Sequence, residues 1–329
     1  MRKIKIREIA VSHGKNIVNN EFYLKHFEKQ GKDVKHFFED VMGRNLRYEI
    51  DKDTETALTL AKKAAKDSVE NSGISGKDID MIIYAGTLPE YSTPISALFV
   101  HDAIEGKKEC FCHDMNVNCL GMTYAFDMAS KYIDSDSNIN RVLIVGSDIL
   151  TVGVSPGNEG NYGQFGDVAC AVIVEETEEE SRLIDTKVGV DTTYIDKSKF
   201  PKCGFSHAFE DLPKEEMYAE WQPAPPWWID GISDNIKAML SDKNISIDDV
   251  SMFCFTQIAY NNILKFRKRL SIPEEKSIFI ADSYGYTGTS SPFVALYEAI
   301  KRGKVKRGDY VFLATAAAGG IHITELIKY

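Results

Sequence analysis

The same order of predicted elements occurs twice along the chain, and that duplication restricts the fold more than any other feature. In the first round, residues 56–72 read as an amphipathic helix with Ala57, Leu60, Ala61, Ala64, Ala65 and Val69 on one face. A Gly turn and an apolar strand over 79–85 follow, then a helix over 95–104, a strand over 110–117, a helix over 119–133 and a strand over 142–146. In the second round a helix over 229–240, carrying Ile232, Ile236, Met239 and Leu240, leads through 245–250 into a strand over 252–255. A helix over 262–270, a strand over 278–282, a helix over 291–300 and a strand over 310–315 complete it. Short apolar strands alternating with helices predict a mostly parallel sheet, covered on both faces through right-handed crossovers. The expected fold class is therefore α/β, a duplicated layered structure with one half over 1–177 and the other over 178–329.

Residues 181–230 break the rhythm. They are polar and rich in Pro and Trp (Pro213, Trp221, Pro223, Pro225, Pro226, Trp227, Trp228), and are expected to run over the surface and cap a site. The acidic run from Glu175 to Glu180 reads as a solvated turn between the halves.

Charge and cysteine usage narrow the function classes. A net charge of −10 repels phosphate backbones, so nucleic acid is not expected as a main partner. The six scattered cysteines, without a signal peptide, predict reduced thiols and a cytoplasmic setting. No apolar run reaches the ~18 residues of a membrane span. Cys110, Cys112, His113 and Cys119 lack the paired Cys-x-x-Cys hooks of structural zinc sites, so no metal is expected. No phosphate-cradling Gly motif occurs, so no nucleotide cofactor is expected either.

One short stretch carries chemistry by its position. In Asp114-Met115-Asn116-Val117-Asn118-Cys119-Leu120-Gly121 a strand ends on a cysteine that opens a helix. Unsatisfied N–H groups and the positive end of the helix dipole favour a thiolate there, and the same amides can serve as oxyanion donors. A packing role for the sulfur is the alternative from spacing alone.

Several segments together resemble one family. They are Gly73-Ile74-Ser75 with Asp80-Met81-Ile82-Ile83, Asp114 to Ala125 around Cys119, Val145-Gly146-Ser147-Asp148, Phe165-Gly166-Asp167, Ile229-Asp230-Gly231, Tyr284-Gly285-Tyr286-Thr287 and Ala318-Gly319-Gly320. In order and spacing the chain resembles the 3-oxoacyl-acyl-carrier-protein synthase III (ketoacyl synthase III) group of the thiolase superfamily. The resemblance implies an α-β-α-β-α sandwich of two similar halves, with Cys119 as the nucleophile that accepts an acyl group. It also implies an oxyanion turn at Ala318 and Gly319, acyl-CoA or acyl carrier protein as substrate without a further cofactor, and a dimer.

The resemblance places a His and an Asn beside that cysteine, in a Pro-His-Gln-Ala-Asn motif and after a Tyr-Gly or His-Gly pair. Here the first motif reads Phe255-Thr256-Gln257-Ile258-Ala259 and the second Tyr284-Gly285-Tyr286-Thr287, so Thr256 and Tyr286 stand at those two positions. A hydroxyl and a phenol do not replace two aligned donors to a malonyl thioester, and losing one oxyanion donor costs about 100- to 1,000-fold. The expected function is acyl transfer through a Cys119 thioester in specialised lipid or secondary metabolism. The alternatives are a condensing synthase with a recruited base, or a non-catalytic partner that pairs with an active homologue.

Glu90 is the candidate recruited base, on a loop that the resemblance sends to a dimer mate. The resemblance puts Thr93, in the same loop, where relatives carry an aromatic that closes the acyl pocket across the dimer interface, so the small residue implies room for a longer or branched acyl chain. Gln257 and Trp228 are candidate substrate contacts, Trp228 with Trp221 and Trp227 at an acyl or pantetheine entrance. His322 is expected to point away from the site, His113 is expected to be structural, and His207 lies on the excursion.

Overall fold

The computed structural model describes residues 2–329. The chain begins with β1 (Ile4–His13), β2 (Asn16–Asn19), α1 (Asn20–Glu28) and β3 (Leu46–Glu49), and continues through α2 (Ala57–Ser72), β4 (Met81–Ala85), α3 (Ser96–Ala103) and β5 (Phe111–Met115). Then come α4 (Gly121–Ser135), β6 (Arg141–Asp148), β7 (Val168–Glu176) and β8 (Arg182–Val190), followed by the two-residue strands β9 (Ser198–Lys199) and β10 (Glu220–Trp221). The remainder is α5 (Trp228–Lys243), β11 (Val250–Phe255), α6 (Tyr260–Leu270), the single turn α7 (Ala281–Tyr284), α8 (Ser291–Lys301), β12 (Tyr310–Ala317) and β13 (Ile321–Lys328).

Two sheets carry the architecture, a five-stranded one in the order β1-β7-β6-β4-β5 and a four-stranded one in the order β11-β12-β13-β8. Helices α4 and α8 lie between them, α2 and α3 cover the outer face of the first sheet, and α5 and α6 cover that of the second. This is the expected α-β-α-β-α duplication. The largest apolar cluster sits in the middle layer and draws on both halves, joining Met122, Phe126 and Ile133 of α4 to Phe293, Val294 and Leu296 of α8.

The repeat is visible in local chemistry. The turn before β4 is closed by Ser75 and Asp78 in a reciprocal capping box, and the turn before β11 is closed in the same way by Ser246 and Asp249. Each follows a helix that ends on a left-handed residue, Gly73 (φ 70°) or Asn244 (φ 53°), the two residue types that tolerate that conformation best.

Four expectations are corrected. The sheets are mixed rather than mostly parallel: β4 runs parallel to β5 and β6, and β11 to β12, while β1–β7, β6–β7, β12–β13 and β13–β8 are antiparallel. Each half ends in a pair of strands that fold straight back, where no crossover helix forces parallel pairing. The excursion is shorter than 181–230, because Arg182–Val190 is the edge strand β8 and the irregular path begins after it. The acidic run is no free turn: Glu175 is buried in β7 between Arg7 and Arg141, and Glu176, Glu179 and Glu180 pair with Arg2, Lys5 and Lys3 at and just before the start of β1. Residues 278–282 do not form a strand; they run beside β11 and turn into α7.

That last segment is held by a side chain in place of a ladder. Gln257 Oε1 accepts from Ile280 N (2.9 Å), and Gln257 Nε2 donates to Ile278 O (3.2 Å) and Phe255 O (2.8 Å). One carboxamide thus supplies the bonds that a fifth strand would have made, which satisfies buried backbone groups without extending the sheet. No helix among the described residues is long and apolar enough to cross a membrane, and none of the six cysteines is joined in a disulfide.

Candidate active site

Cys119 sits in a single 3-10 turn, Asn118–Leu120, between β5 and α4. The helix itself starts at Gly121, two residues later than expected, because Asn118 adopts positive φ (50°) and tightens the turn. Asn118 Nδ2 donates to Ala318 O (3.3 Å), so the turn is tied to residues 318–320, which link β12 to β13. Ala317, Ile321 and Ile323 pack around Cys119 and Leu120. The structure therefore brings Cys119 and the Ala318-Gly319 turn together. Gly319 has φ of 88°, and nothing lies within 4 Å of the place a Cβ would take, so this edge of the turn is open.

The start of α4 is completed from the other half. Met122 N donates to Thr289 Oγ1 (3.0 Å), a cap supplied by the turn that precedes α8. A side chain at Gly121 would collide with that hydroxyl, since its Cβ would lie 2.5 Å from Thr289 Oγ1. Thr289 N in turn donates to Asp148 Oδ2 (2.8 Å), and the same carboxylate accepts from Thr87 N (2.6 Å) and Thr87 Oγ1 (3.2 Å). Asp148 at the end of β6 thereby fastens both helix starts to the first sheet.

The Tyr286 hydroxyl stands by the sulfur, and the Thr256 hydroxyl is bonded to that phenol. The Tyr286 hydroxyl acts on the Cys119 thiol in favour of its ionised form, and Tyr286 Oη lies 3.1 Å from Thr256 Oγ1. Both side chains are buried. Tyr286 is set by its backbone: Tyr286 N donates to Gln164 O (3.0 Å), and Tyr286 O accepts from Gly166 N (3.0 Å). Arg44 holds the neighbouring loops, donating from Nε to Gln164 O (2.9 Å), from Nη1 to Met42 O (2.8 Å) and from Nη2 to Ile258 O (2.8 Å). A buried guanidinium with carbonyl partners fixes the loops that carry Thr256 and Tyr286 against each other.

The electrostatics overturn one expectation. Burial pushes the Cys119 thiol up to about 12; the Tyr286 hydrogen bond and the residue's own N–H pull it down, and the Asp148 charge raises it further. Desolvation outweighs the helix end, since the sulfur lies two residues ahead of the first helical residue. Burial, followed by the charge of Cys119, also raises Tyr286 well above the ordinary phenol value. The resting site is a neutral thiol under a neutral phenol.

The remaining candidates lie elsewhere. Glu90 and Thr93 are exposed on the loop between β4 and α3 and do not join this site within one chain. Gln257 is buried with its amide spent on Phe255, Ile278 and Ile280. Trp228 opens α5 and packs on Phe266 in the outer layer, and Trp227 lies beside His322. His322 fills a slot between β8 and α5 that only glycine leaves free: a Cβ at Gly189 or Gly231 would come within 2.3 or 2.4 Å of its Nε2. It lies on the face of β13 opposite Ile321 and Ile323, away from the thiol. His113 is half-buried on β5, and His207 is exposed and paired with Glu210. No group of three or more His, Cys, Asp or Glu side chains able to hold a metal comes together among the described residues.

Sequence reasoning missed Asp148 as the carboxylate joining the helix starts, Thr289 as a cap, and Arg44 as the residue that braces the loops. The Gly-Ser-Asp ending of β6 was the only visible sign of the first; the other two depend on contacts across more than 100 residues.

Comparisons with known proteins agree with this fold. The family model for 3-Oxoacyl-[acyl-carrier-protein (ACP)] synthase III matches residues 113–192, and the model for the C-terminal part of that family matches 240–329. The first span contains Cys119 and the second contains Thr256, Tyr286 and Gly319. Over 280 residues the chain is 30% identical to a beta-ketoacyl-[acyl-carrier-protein] synthase III of Ehrlichia canis, covering 85% of this chain and 86% of that one. It is 28% identical to the Clostridium perfringens enzyme of the same name, over the whole of both chains. The crystal structure of 3-oxoacyl-[acyl-carrier-protein] synthase III from Aquifex aeolicus superposes with a TM-score of 0.88 at 25% identity, covering 99% of this chain and 100% of that one.

Proposed function

The chain belongs to the 3-oxoacyl-[acyl-carrier-protein] synthase III family, and from that premise we propose that it is a cysteine-dependent acyltransferase. It takes an acyl group from acyl-CoA or acyl carrier protein onto Cys119 and passes it to an acceptor nucleophile, in specialised lipid or secondary metabolism. The observation that carries this reading is the row Cys119, Tyr286, Thr256, in which the two polar groups beyond the sulfur are hydroxyls bonded to each other.

Acylation needs the sulfur and its Tyr286 contact, but no pair of donors aligned on one oxygen from that row. The Cys119 sulfur attacks the thioester carbon, the C–S bond to the donor breaks, and the thiol proton leaves with the departing thiolate, so the step is neutral overall. Tyr286 holds the thiol in place, and amides at Cys119 and the 318–320 turn are the oxyanion donors of the reading. Decarboxylation of a malonyl thioester needs two donors aimed at one enolate oxygen. Here Tyr286 is engaged with the sulfur and Thr256, which supports simple transfer over condensation. The exposure of Glu90 and Thr93 supports a role for their loop toward a second copy of the chain.

The test is intact-mass measurement of the full chain after incubation with acyl-CoA and acyl carrier protein donors, alongside CO2 release from malonyl thioesters. Acyl mass that maps to Cys119 without CO2 release is expected. CO2 release with a carbon–carbon product, lost in Glu90→Ala, favours the condensing reading. A second reading rests on the thiol itself, which burial holds near 12: no adduct with any donor, together with isolation as a mixed dimer with a complete homologue, makes the chain a non-catalytic partner.

A further inference from the structure

Gln164 is buried (2% exposed), yet neither Nε2 nor Oε1 of its side chain has a hydrogen-bond partner. It is the one carboxamide left in that condition among the described residues. A buried amide without partners is costly, and a fold keeps one where something else completes it. The backbone around it is fully engaged. Gln164 N donates to Asn161 O (3.0 Å), and Gln164 O accepts from Tyr286 N (3.0 Å) and from Arg44 Nε (2.9 Å). The residue is thus pinned between the strand-like bridge to Tyr286 and the Arg44 fan that also grips Gln257 O and Ile258 O, directly after Thr256. Those are the two loops that carry Tyr286, which acts on the Cys119 sulfur, and Thr256, bonded to that phenol.

We infer that Gln164 is a specificity-determining residue, whose amide pairs with a group on the incoming thioester that offers both a donor and an acceptor. The inference rests on the acyl-transfer reading for the identity of the ligand. A carboxamide presents one acceptor and one N–H pair, so its complement is a secondary amide or a hydroxyl. The thioester can supply the first from the arm that carries the sulfur and the second from a hydroxylated acyl chain. A site built for such a bond penalises a ligand lacking it, because the protein amide is then left unpaired.

Two matched donor pairs separate those sources. For the arm, octanoyl thioesters of N-acetylcysteamine and of 2-acetoxyethanethiol differ only in replacement of the amide N–H by oxygen. For the chain, octanoyl and 3-hydroxyoctanoyl groups are compared on N-acetylcysteamine. Cys119 acylation rates are measured by intact mass in the wild-type chain, in Gln164→Leu and in the unbranched Gln164→Met. The wild type is expected to lose about tenfold or more when the polar group is removed in one of the two pairs, while both variants discriminate less than about twofold. Without ligand, at least one variant is expected to melt about 2–4 °C above the wild type, since an unpaired buried amide has gone. Equal discrimination by wild type and variants in both pairs overturns the inference. If no donor acylates Cys119, the same pairs are compared through ligand-induced shifts of the melting midpoint. A wild-type preference lost in the variants then upholds the role of Gln164 while the transfer reading alone fails, and its absence rejects both.

Discussion

The two halves repeat one scaffold and differ at one edge, and the active site lies in that difference. In the first half β5 zips along β4 from Met81↔Phe111 to Ala85↔Met115, and its end runs straight into the turn that holds Cys119. In the second half the corresponding edge of β11 carries no strand. The Gln257 amide catches Ile278 and Ile280 instead, and the chain beyond is free to form α7, pass Gly285 at φ 75° and bring Tyr286 over the sulfur. A Cβ at Gly285 would lie 2.7 Å from Gly166 N, so glycine is what lets that crossing happen. Duplication thus provides two helix starts facing each other, only one of them preceded by a strand. One offers a thiol, and the other spends Thr289 on capping the first helix and Tyr286 on the thiol.

The most severe way to break this contrast is to remove the amide that replaces the missing strand. Gln257→Leu leaves the Ile280 N–H and Ile278 C=O buried without partners and is expected to cost about 2–4 kcal/mol in urea unfolding. It should also lower acylation, because α7 and Tyr286 lose their anchor. A loss below about 0.5 kcal/mol would mean that the second edge does not depend on this side chain.

Tyr286→Phe takes its contact from the sulfur and its partner from the Thr256 hydroxyl. Without the phenol hydrogen bond the thiol should become harder to ionise, and acylation is expected to slow by about 10- to 100-fold, the worth of one hydrogen bond to a charged group. The pH dependence sharpens the point. A folded-state thiol raised to about 12 gives an iodoacetamide rate that still climbs at pH 9 and 10, about tenfold per pH unit. A plateau at or below pH 8.5 would show that the helix end, not burial, controls the sulfur.

The smallest effect probes the bond between the halves. Thr289→Val keeps the shape but leaves Met122 N uncapped, and is expected to cost about 1 kcal/mol with little change in the thiol's alkylation rate. A cost near zero would detach the first helix start from the second half.

Much of the scaffold was legible because its central strands and helices are apolar with clear periods. α2, α3, α5, α6 and α8 begin and end within two or three residues of the positions that the apolar spacing indicates. The antiparallel strands were harder to see for a physical reason. β1 alternates with Lys5 and Arg7, charges satisfied by Glu175 of β7, and β13 hides His322 and Glu325 in its interior. Polar side chains that are matched only in three dimensions erase the strand signal in one. At the site, the strand-to-helix position of Cys119 was readable from its neighbours, whereas Thr256 and Tyr286 came from the resemblance. Gln164 could not be read at all, because its isolation arises from what Arg44 and Tyr286 do to its backbone.

The central claim is that the Cys119 sulfur, though neutral at rest, accepts an acyl group. Intact-mass analysis of the wild-type chain and of Cys119→Ala, each incubated with the same donor panel, tests it most directly. The account predicts a single acyl increment on the wild type, localised to the peptide containing Cys119 and absent from the variant. An unmodified wild-type mass with every donor, or an equal increment on Cys119→Ala, would contradict it.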